Sequence, residues 1–148
     1  MPLVSHKGTL AIAAVIDVAI NSATGPASSK ALAMRLKLPL RHLEPVLQAL
    51  VRDGILKGIR GPRGGYELAR EQAKITAKDI LNSVGRLDEA SEPLPDSELV
   101  VAVVQPTLAI AEQSAALREI NLADLVRQAL HVRGHGLHYF DTHGAKLE

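Results

Sequence analysis

Apolar and polar positions in the first third of the chain follow helical spacing and predict three short helices in succession. The first apolar stretch covers residues 5–20 and is ended by a turn rich in Asn, Ser, Gly and Pro. A second helix is predicted over residues 30–36, with Ser28 or Ser29 as its N-cap. We expect Pro39 to open the third helix in its first turn, where proline is tolerated best.

The third helix is the most strongly amphipathic segment of the sequence. Its apolar residues recur at the spacing of one buried helical stripe and are Leu43, Val46, Leu47, Leu50 and Val51. The opposite face carries Arg41, Glu44, Gln48 and Arg52. A helix with one aliphatic face and one face of Arg, Glu and Gln can lie in a DNA major groove. Pro45 should make this helix bend, or begin later than Pro39.

A glycine-rich basic segment follows this helix and separates two short strands. The strands are predicted over residues 55–59 and 66–69, and the tip between them reads Arg60-Gly61-Pro62-Arg63-Gly64-Gly65. Glycine allows close approach to a phosphate backbone and arginine supplies the charge. A capping box at residues 76–79 starts a fourth helix through residue 84. Together these features predict a winged helix-turn-helix that binds DNA.

The second half of the chain is predicted to form a dimerisation region. Residues 86–96 read as an acidic, Pro-containing linker or exposed loop, and residues 97–120 as a long helix that Pro106 must kink or split. A final short helix over residues 122–132 completes the region 97–133, and 134–148 is predicted to be a flexible tail. The apolar seam spaced by three and four residues consists of Leu99, Val103, Pro106, Ile110, Gln113, Leu117 and Ile120. A second copy of the same helix is the simplest partner for this seam, although a ligand pocket is left open.

The predicted fold class is therefore mainly α with a small β-hairpin wing: a winged helix-turn-helix over residues 1–85 plus a long C-terminal dimerisation helix. Charge follows the same division, because residues 1–85 hold 12 Lys/Arg against 6 Asp/Glu and residues 86–148 hold 5 against 10. A basic first half suits a polyanion. Cysteine is absent, which excludes disulfides, thiolate catalysis and cysteine-ligated metal. The apolar stretch in the first helix is too short to span a bilayer, so we expect a cytoplasmic protein without a membrane segment.

Several segments resemble the IscR-type (Rrf-two) winged-helix transcription regulators. The resemblance covers residues 3–85 and resumes at 120–125. The motifs that carry it are Ser5-His6-Lys7-Gly8, Leu43-Glu44, Leu47-Gln48-Ala49-Leu50, Gly54-Ile55-Leu56-Lys57, the run from Arg60-Gly61-Pro62 through Leu68-Ala69-Arg70, and Ile75-Thr76 with Asp79-Ile80. It implies a homodimer on palindromic double-stranded DNA. Relatives that bind an iron–sulfur cluster use mainly three cysteines beyond the fourth helix, so this chain is expected to be a cysteine-free member without a cofactor.

The candidate DNA-binding residues lie at helix starts, on the third helix and in the wing. They are Ser5, Lys7, Ser28, Ser29, Lys30, Arg41, His42, Glu44, Gln48, Arg60, Arg63, Gly64, Gly65 and Tyr66. The resemblance implies DNA readout by Glu44, and the alternative is a surface pair with Arg41 or Gln48. Plain N-capping is equally compatible with Ser28 and Ser29.

Other functional classes receive less support from the residues. The four histidines between residues 131 and 143 could bind a metal, but the glycines among them favour an arm-like tail, so no metal site is expected. No nucleophile–base pair or phosphate loop is present, so an enzyme is not expected. The leading hypothesis is a DNA-binding regulator, most simply a repressor. The alternative is a winged-helix protein–protein interaction module that has lost DNA readout. The signal, an effector or a partner protein, is left open.

Overall fold

A computed structural model describes residues 6–85, 87, 97, 99–107, 109 and 120–133. The order of its elements is α1 (His6–Asn21), α2 (Ser29–Leu36), α3 (Leu40–Arg52), β1 (Leu56–Ile59), β2 (Gly65–Leu68), a 3₁₀ helix (Gln72–Lys74), α4 (Ala77–Val84), a π-helical turn (Val100–Val104) and α5 (Leu122–Arg133). This order reproduces the predicted mainly helical winged helix-turn-helix with one hairpin. Among the described residues, no helix is both long and apolar enough to cross a membrane.

The ends of α2 and α3 follow from local backbone chemistry. The Ser28 hydroxyl accepts a 3.1 Å hydrogen bond from the Ala31 amide, which makes Ser28 the N-cap of α2. Pro39 is the N-cap of α3, with extended ψ of 142°, and does not form the first helical turn as the sequence suggested. At the other end of α3, Gly54 adopts φ of 75°, and the Gly54 and Ile55 amides donate to Val51 and Leu50. This Schellman arrangement ends α3 and turns the chain toward β1.

Pro45 lies inside α3 and does not delay its start beyond Leu40. Its ring nitrogen has no hydrogen to donate to the Arg41 carbonyl, so the helix lacks one internal bond near its N-terminal end. The Pro45 side chain is exposed, whereas Leu43, Val46, Leu47 and Leu50 are buried. The buried stripe of α3 thus compensates for the missing bond through packing.

The two strands form an antiparallel hairpin whose register sets the wing. Leu56 pairs with Leu68 at the base, and Ile59 pairs with Gly65 next to the tip. A third backbone segment joins this hairpin, because Ala27 and Tyr66 exchange hydrogen bonds of 3.0 and 2.8 Å. The residue just before the N-cap of α2 is therefore attached directly to the wing.

Helix α1 is the centre of the hydrophobic core. Residues 8–18 of α1 are all buried, and α1 packs against α2, α3, α4, β2, the π-helical turn and α5. The start of α5 also pairs with the start of α4: the Ala77 amide donates to Ile120 (2.8 Å) and the Leu122 amide donates to Ile75 (2.7 Å). The C-terminal helices are thus built into the winged domain.

Part of the proposed dimer seam lies in the core of the chain itself. Leu99 and Val103 are 2% and 3% exposed and belong to the cluster around α1, so little of their surface is left for a partner. Pro106 is exposed, follows the π-helical turn and lies in a helical segment, and Ile120 packs partly buried against the core. Ile110, Gln113 and Leu117, the tail 134–148 and all of the linker 86–96 except Leu87 lie outside the described residues.

Candidate nucleic-acid interface

The outer face of α3 presents the polar residues that the sequence assigned to DNA. Arg41, Glu44 and Gln48 are exposed, and His42 is partly buried. In the part of the chain that the structure describes, neither Arg41 nor Glu44 forms an ion pair. The alternative for Glu44, a surface pair with Arg41 or with Gln48, is therefore not formed among these described side chains. Both charges are accessible to a ligand that covers this face.

A groove beside α3 brings together the start of α2 and the wing. We call it the wing groove; it has a volume of about 630 Å³ and is lined by Ser28, Ser29, Val51, Gly58, Ile59, Arg60, Gly61, Gly64, Gly65 and Tyr66. Six of the predicted DNA-binding residues meet here, including both candidate serines. Val51 and Ile59 add exposed apolar surface from the last turn of α3 and the end of β1. Among the described residues that line the wing groove, one is a cation, Arg60, and none carries a carboxylate.

A second groove lies on the other side of Ser28, between the α1–α2 turn and the wing tip. We call it the turn groove; its volume is about 500 Å³ and its lining includes Ser28, Arg35, Pro62, Arg63 and Gly64. The described residues that line the turn groove likewise include no carboxylate. The two arginines of the wing tip, Arg60 and Arg63, therefore line separate grooves on either side of one serine.

The charges of the hairpin differ between its base and its tip. At the base, Lys57 lies opposite Glu67 and their Nζ and Oε1 atoms are 3.7 Å apart. At the tip, Arg60 and Arg63 are exposed and form no ion pair with any residue that the structure describes. The positive charge of the wing is therefore concentrated where it can meet phosphate.

Gly64 and Gly65 are required by the packing of the wing itself. A Cβ atom on Gly64 would lie 2.1 Å from the Ile59 carbonyl oxygen, and one on Gly65 would lie 2.4 Å from the Ala27 carbonyl oxygen. The sequence suggested that these glycines permit approach to phosphate. The structure gives them a nearer reason, which is to close the tip and to bring β2 against the residue before α2.

The remaining predicted DNA-binding residues contribute less to the two grooves. Lys7 is partly buried in the first turn of α1, Lys30 is exposed in the first turn of α2, and neither lines the wing groove or the turn groove. Tyr66 is partly buried and packs against the core, besides bordering the wing groove. Ser5 lies outside the described residues.

A buried ion pair that the sequence does not predict supports this arrangement. Asp17 is fully buried in α1, and the Arg35 guanidinium in α2 contacts both of its carboxylate oxygens at 2.7–3.1 Å. The signal was present, because an aspartate inside an apolar helical run requires a partner. The sequence could not tell which of several cations supplies it.

Comparisons with known proteins agree with this geometry. The Rrf2 family, described as an iron-dependent transcriptional regulator, matches residues 4–128. The chain belongs to the Rrf2 family of transcriptional regulators. It is 37% identical over 130 residues to slr0846 of Synechocystis, a protein named as an HTH-type transcriptional regulator. The match covers 83% of this chain and 86% of that protein. It is 32% identical over 87 residues to IscR of Klebsiella pneumoniae, covering 59% of this chain and only 53% of that protein.

Solved structures show the same fold. CymR of B. subtilis, titled a global cysteine regulator, aligns with a TM-score of 0.64 at 30% identity, covering 86% of this chain and 98% of that one. IscR of T. potens aligns with a TM-score of 0.64 at 32% identity, covering 87% and 89%. The chain is thus a winged-helix transcriptional regulator of the DNA-binding type, and its relatives are regulators and not enzymes.

The family description names iron, but this chain cannot form a cysteine-ligated iron centre. The sequence contains no cysteine. Within the described residues, no group of three or more His, Asp or Glu side chains is arranged to hold a metal ion. The residues present therefore do not fit an iron–sulfur cluster of the kind that needs cysteine thiolates.

Proposed function

We propose that this regulator binds a palindromic operator as a homodimer and acts as a repressor. Each α3 would enter a major groove, and each wing would reach the adjacent minor groove. The observation that carries the proposal is a set of exposed charged side chains that form no ion pair with any residue that the structure describes: Arg41 and Glu44 on α3, and Arg60 and Arg63 on the wing.

The chemistry of these side chains suits the two grooves of duplex DNA. A glutamate in the major groove can accept a hydrogen bond from a cytosine amino group, and Gln48 can read an adenine edge. Arginine inserted into a minor groove is favoured where the groove is narrow and rich in A·T pairs. The wing groove, with the Ser28 and Ser29 hydroxyls beside Arg60, suits the phosphates between these two contacts.

A homodimer follows from the symmetry that a palindrome requires and from the seam of residues 97–120. Because Leu99 and Val103 are used in the core of the chain, we place the contact with the partner further along, at Pro106, Ile110, Gln113 and Leu117.

A repressor of this kind acts on chromosomal DNA, which places it in the cytoplasm. Because the sequence contains no cysteine, thiol chemistry is closed to it as a signal, which leaves a small molecule in the dimer interface, a partner protein or no signal at all.

The wing tip provides the first test. We expect Arg60→Ala to weaken operator binding, to reduce the salt dependence of log K by about one phosphate contact, and to relax A·T preference at the site edges. Lys74→Ala is the matched control, since Lys74 is exposed, carries the same charge and lies outside both grooves. Fluorescence anisotropy over a range of salt concentrations measures both variants. Equal affinity and equal salt slope for Arg60→Ala and wild type would remove the wing from the interface.

Pro45 favours a second candidate function. A proline inside the recognition helix removes the hydrogen bond to the Arg41 carbonyl. The backbone that orients the Arg41 side chain toward a base is then held less firmly. The chain could therefore keep the fold as a protein–protein interaction module without DNA readout. A wild-type protein that binds no genomic fragment even at low salt would support this second function.

A further inference from the structure

We propose that Arg70 is a positioning residue that fixes the C-terminal end of recognition helix α3 to the junction where α4 and α5 begin. Arg70 follows the second strand of the wing but lines neither groove, so the proposed DNA contacts do not account for it. This inference rests on the proposed DNA-binding function for its consequence, although not for its geometry.

Arg70 contacts two elements at once. Its Nε donates a 3.2 Å hydrogen bond to the carbonyl oxygen of Gly54, the left-handed residue that ends α3. Its Nη1 lies 3.6 Å from Oδ2 of Asp79 in the first turn of α4. The carbonyl of Gly54 lies beyond the helical bonding pattern of α3, and the Arg70 side chain supplies a donor for it. A planar guanidinium can serve both acceptors, whereas a single ammonium cannot fix the same geometry.

The Asp79 contact continues into the C-terminal part of the chain. Asp79 forms a capping box with Thr76, through bonds of 3.1 and 3.0 Å. The residues on either side of Thr76 pair with the backbone at the start of α5, and Asn121 and Asp124 form a reciprocal cap there. A continuous set of contacts therefore runs from the end of α3, through Arg70 and α4, to the first turn of α5; all of them are hydrogen bonds except the 3.6 Å ion pair between Arg70 and Asp79.

Small changes at the end of α3 are amplified at its reading face. Arg41 lies 13 residues before Gly54, which corresponds to about 20 Å along a helix axis. A tilt of about 10° about the Gly54 end would move Arg41 by roughly 3 Å, more than a hydrogen bond to a base tolerates. Holding the end of α3 is thus a condition for reading bases at its start. Because Arg70 contacts both Gly54 and Asp79, the orientation of α3 and the position of α5 depend on each other.

Hydrogen exchange of the DNA-free protein tests the geometry directly. Arg70→Ala should raise the exchange rates of the Gly54 and Ile55 amides, which close α3, by about fivefold, as expected from the loss of one charge-assisted hydrogen bond. Lys74→Ala controls for the lost charge and should leave both amides unchanged. Arg70→Lys keeps the charge but not the fork, and should resemble Arg70→Ala. The proposal is wrong if the Arg70→Ala rates equal those of Lys74→Ala, or if lysine restores full protection.

DNA binding, measured well below the melting temperature of each variant, tests the consequence. Arg70→Ala should lower specific affinity about fivefold, with little change in non-specific affinity and an unchanged salt slope. A variant that is merely less folded would lose both affinities together, and loss of a phosphate contact would reduce the slope by about one; either result would overturn the positioning role. If wild type binds no DNA, the proposed function fails, and the exchange rates alone still decide whether Arg70 holds α3.

Discussion

Removing Arg35 should be among the most destabilising single changes in the winged domain. Its guanidinium is 12% exposed and forms three hydrogen-bond contacts of 2.7–3.1 Å with Asp17, which has no exposed surface. Arg35→Ala would leave the buried carboxylate without its bidentate partner. Breaking a buried ion pair from one side costs about 3–5 kcal/mol. This loss is a large fraction of the 5–15 kcal/mol that holds a typical domain together.

Urea unfolding followed by far-ultraviolet circular dichroism measures this cost. At fixed protein concentration, we expect a lower midpoint with an unchanged slope, and a melting temperature lower by roughly 10–20 °C. The double variant Asp17→Val with Arg35→Met should recover most of the stability, because an apolar pair of similar volume removes the buried charges together. A free energy of unfolding for Arg35→Ala within about 0.5 kcal/mol of wild type would refute the reasoning.

Two further predictions concern the wing and the reading face. Gly65→Ala should destabilise the protein by about 1–3 kcal/mol and weaken DNA binding, because its Cβ would lie 2.4 Å from the Ala27 carbonyl oxygen. Gly58→Ala, whose Cβ would meet nothing within 4 Å, is the control in the unfolding assay, and an equal loss of stability in both variants would contradict the steric argument. Glu44→Ala should change the preferred base at one position of each half-site and remove about 1–3 kcal/mol of discrimination there; identical base preferences in competition binding against single-base operator variants would take Glu44 out of the readout.

Local chemistry made several elements predictable from the sequence. The Thr76–Asp79 capping box depends on residues within one turn and appears where expected. Gly54 ends α3 through equally local contacts. The hairpin followed from glycine and arginine between two apolar runs. Ser28 and Ser29 could not be ranked as caps by sequence. The structure decides for Ser28 through its bond to Ala31.

Contacts between distant segments could not be predicted. The Asp17–Arg35 pair joins α1 to α2 through residues 18 positions apart, and the Ala27–Tyr66 bridge joins the turn before α2 to the wing. Neither has a periodic signature. The spacing of Leu99 and Val103 correctly indicated a buried face, but periodicity does not say what buries it. Here α1 and α5 of the same chain take part of the surface that the sequence reading gave to a second subunit.

Selection of bound sequences from a random duplex pool is the most direct test of the central claim, that two α3 helices and two wings read DNA as one symmetric unit. Purified protein at near-physiological salt should enrich a palindrome whose half-sites are separated by about one helical turn, with A·T-rich flanks where the wings lie. A pool that shows no enrichment, or that converges on a single asymmetric half-site, would contradict the account.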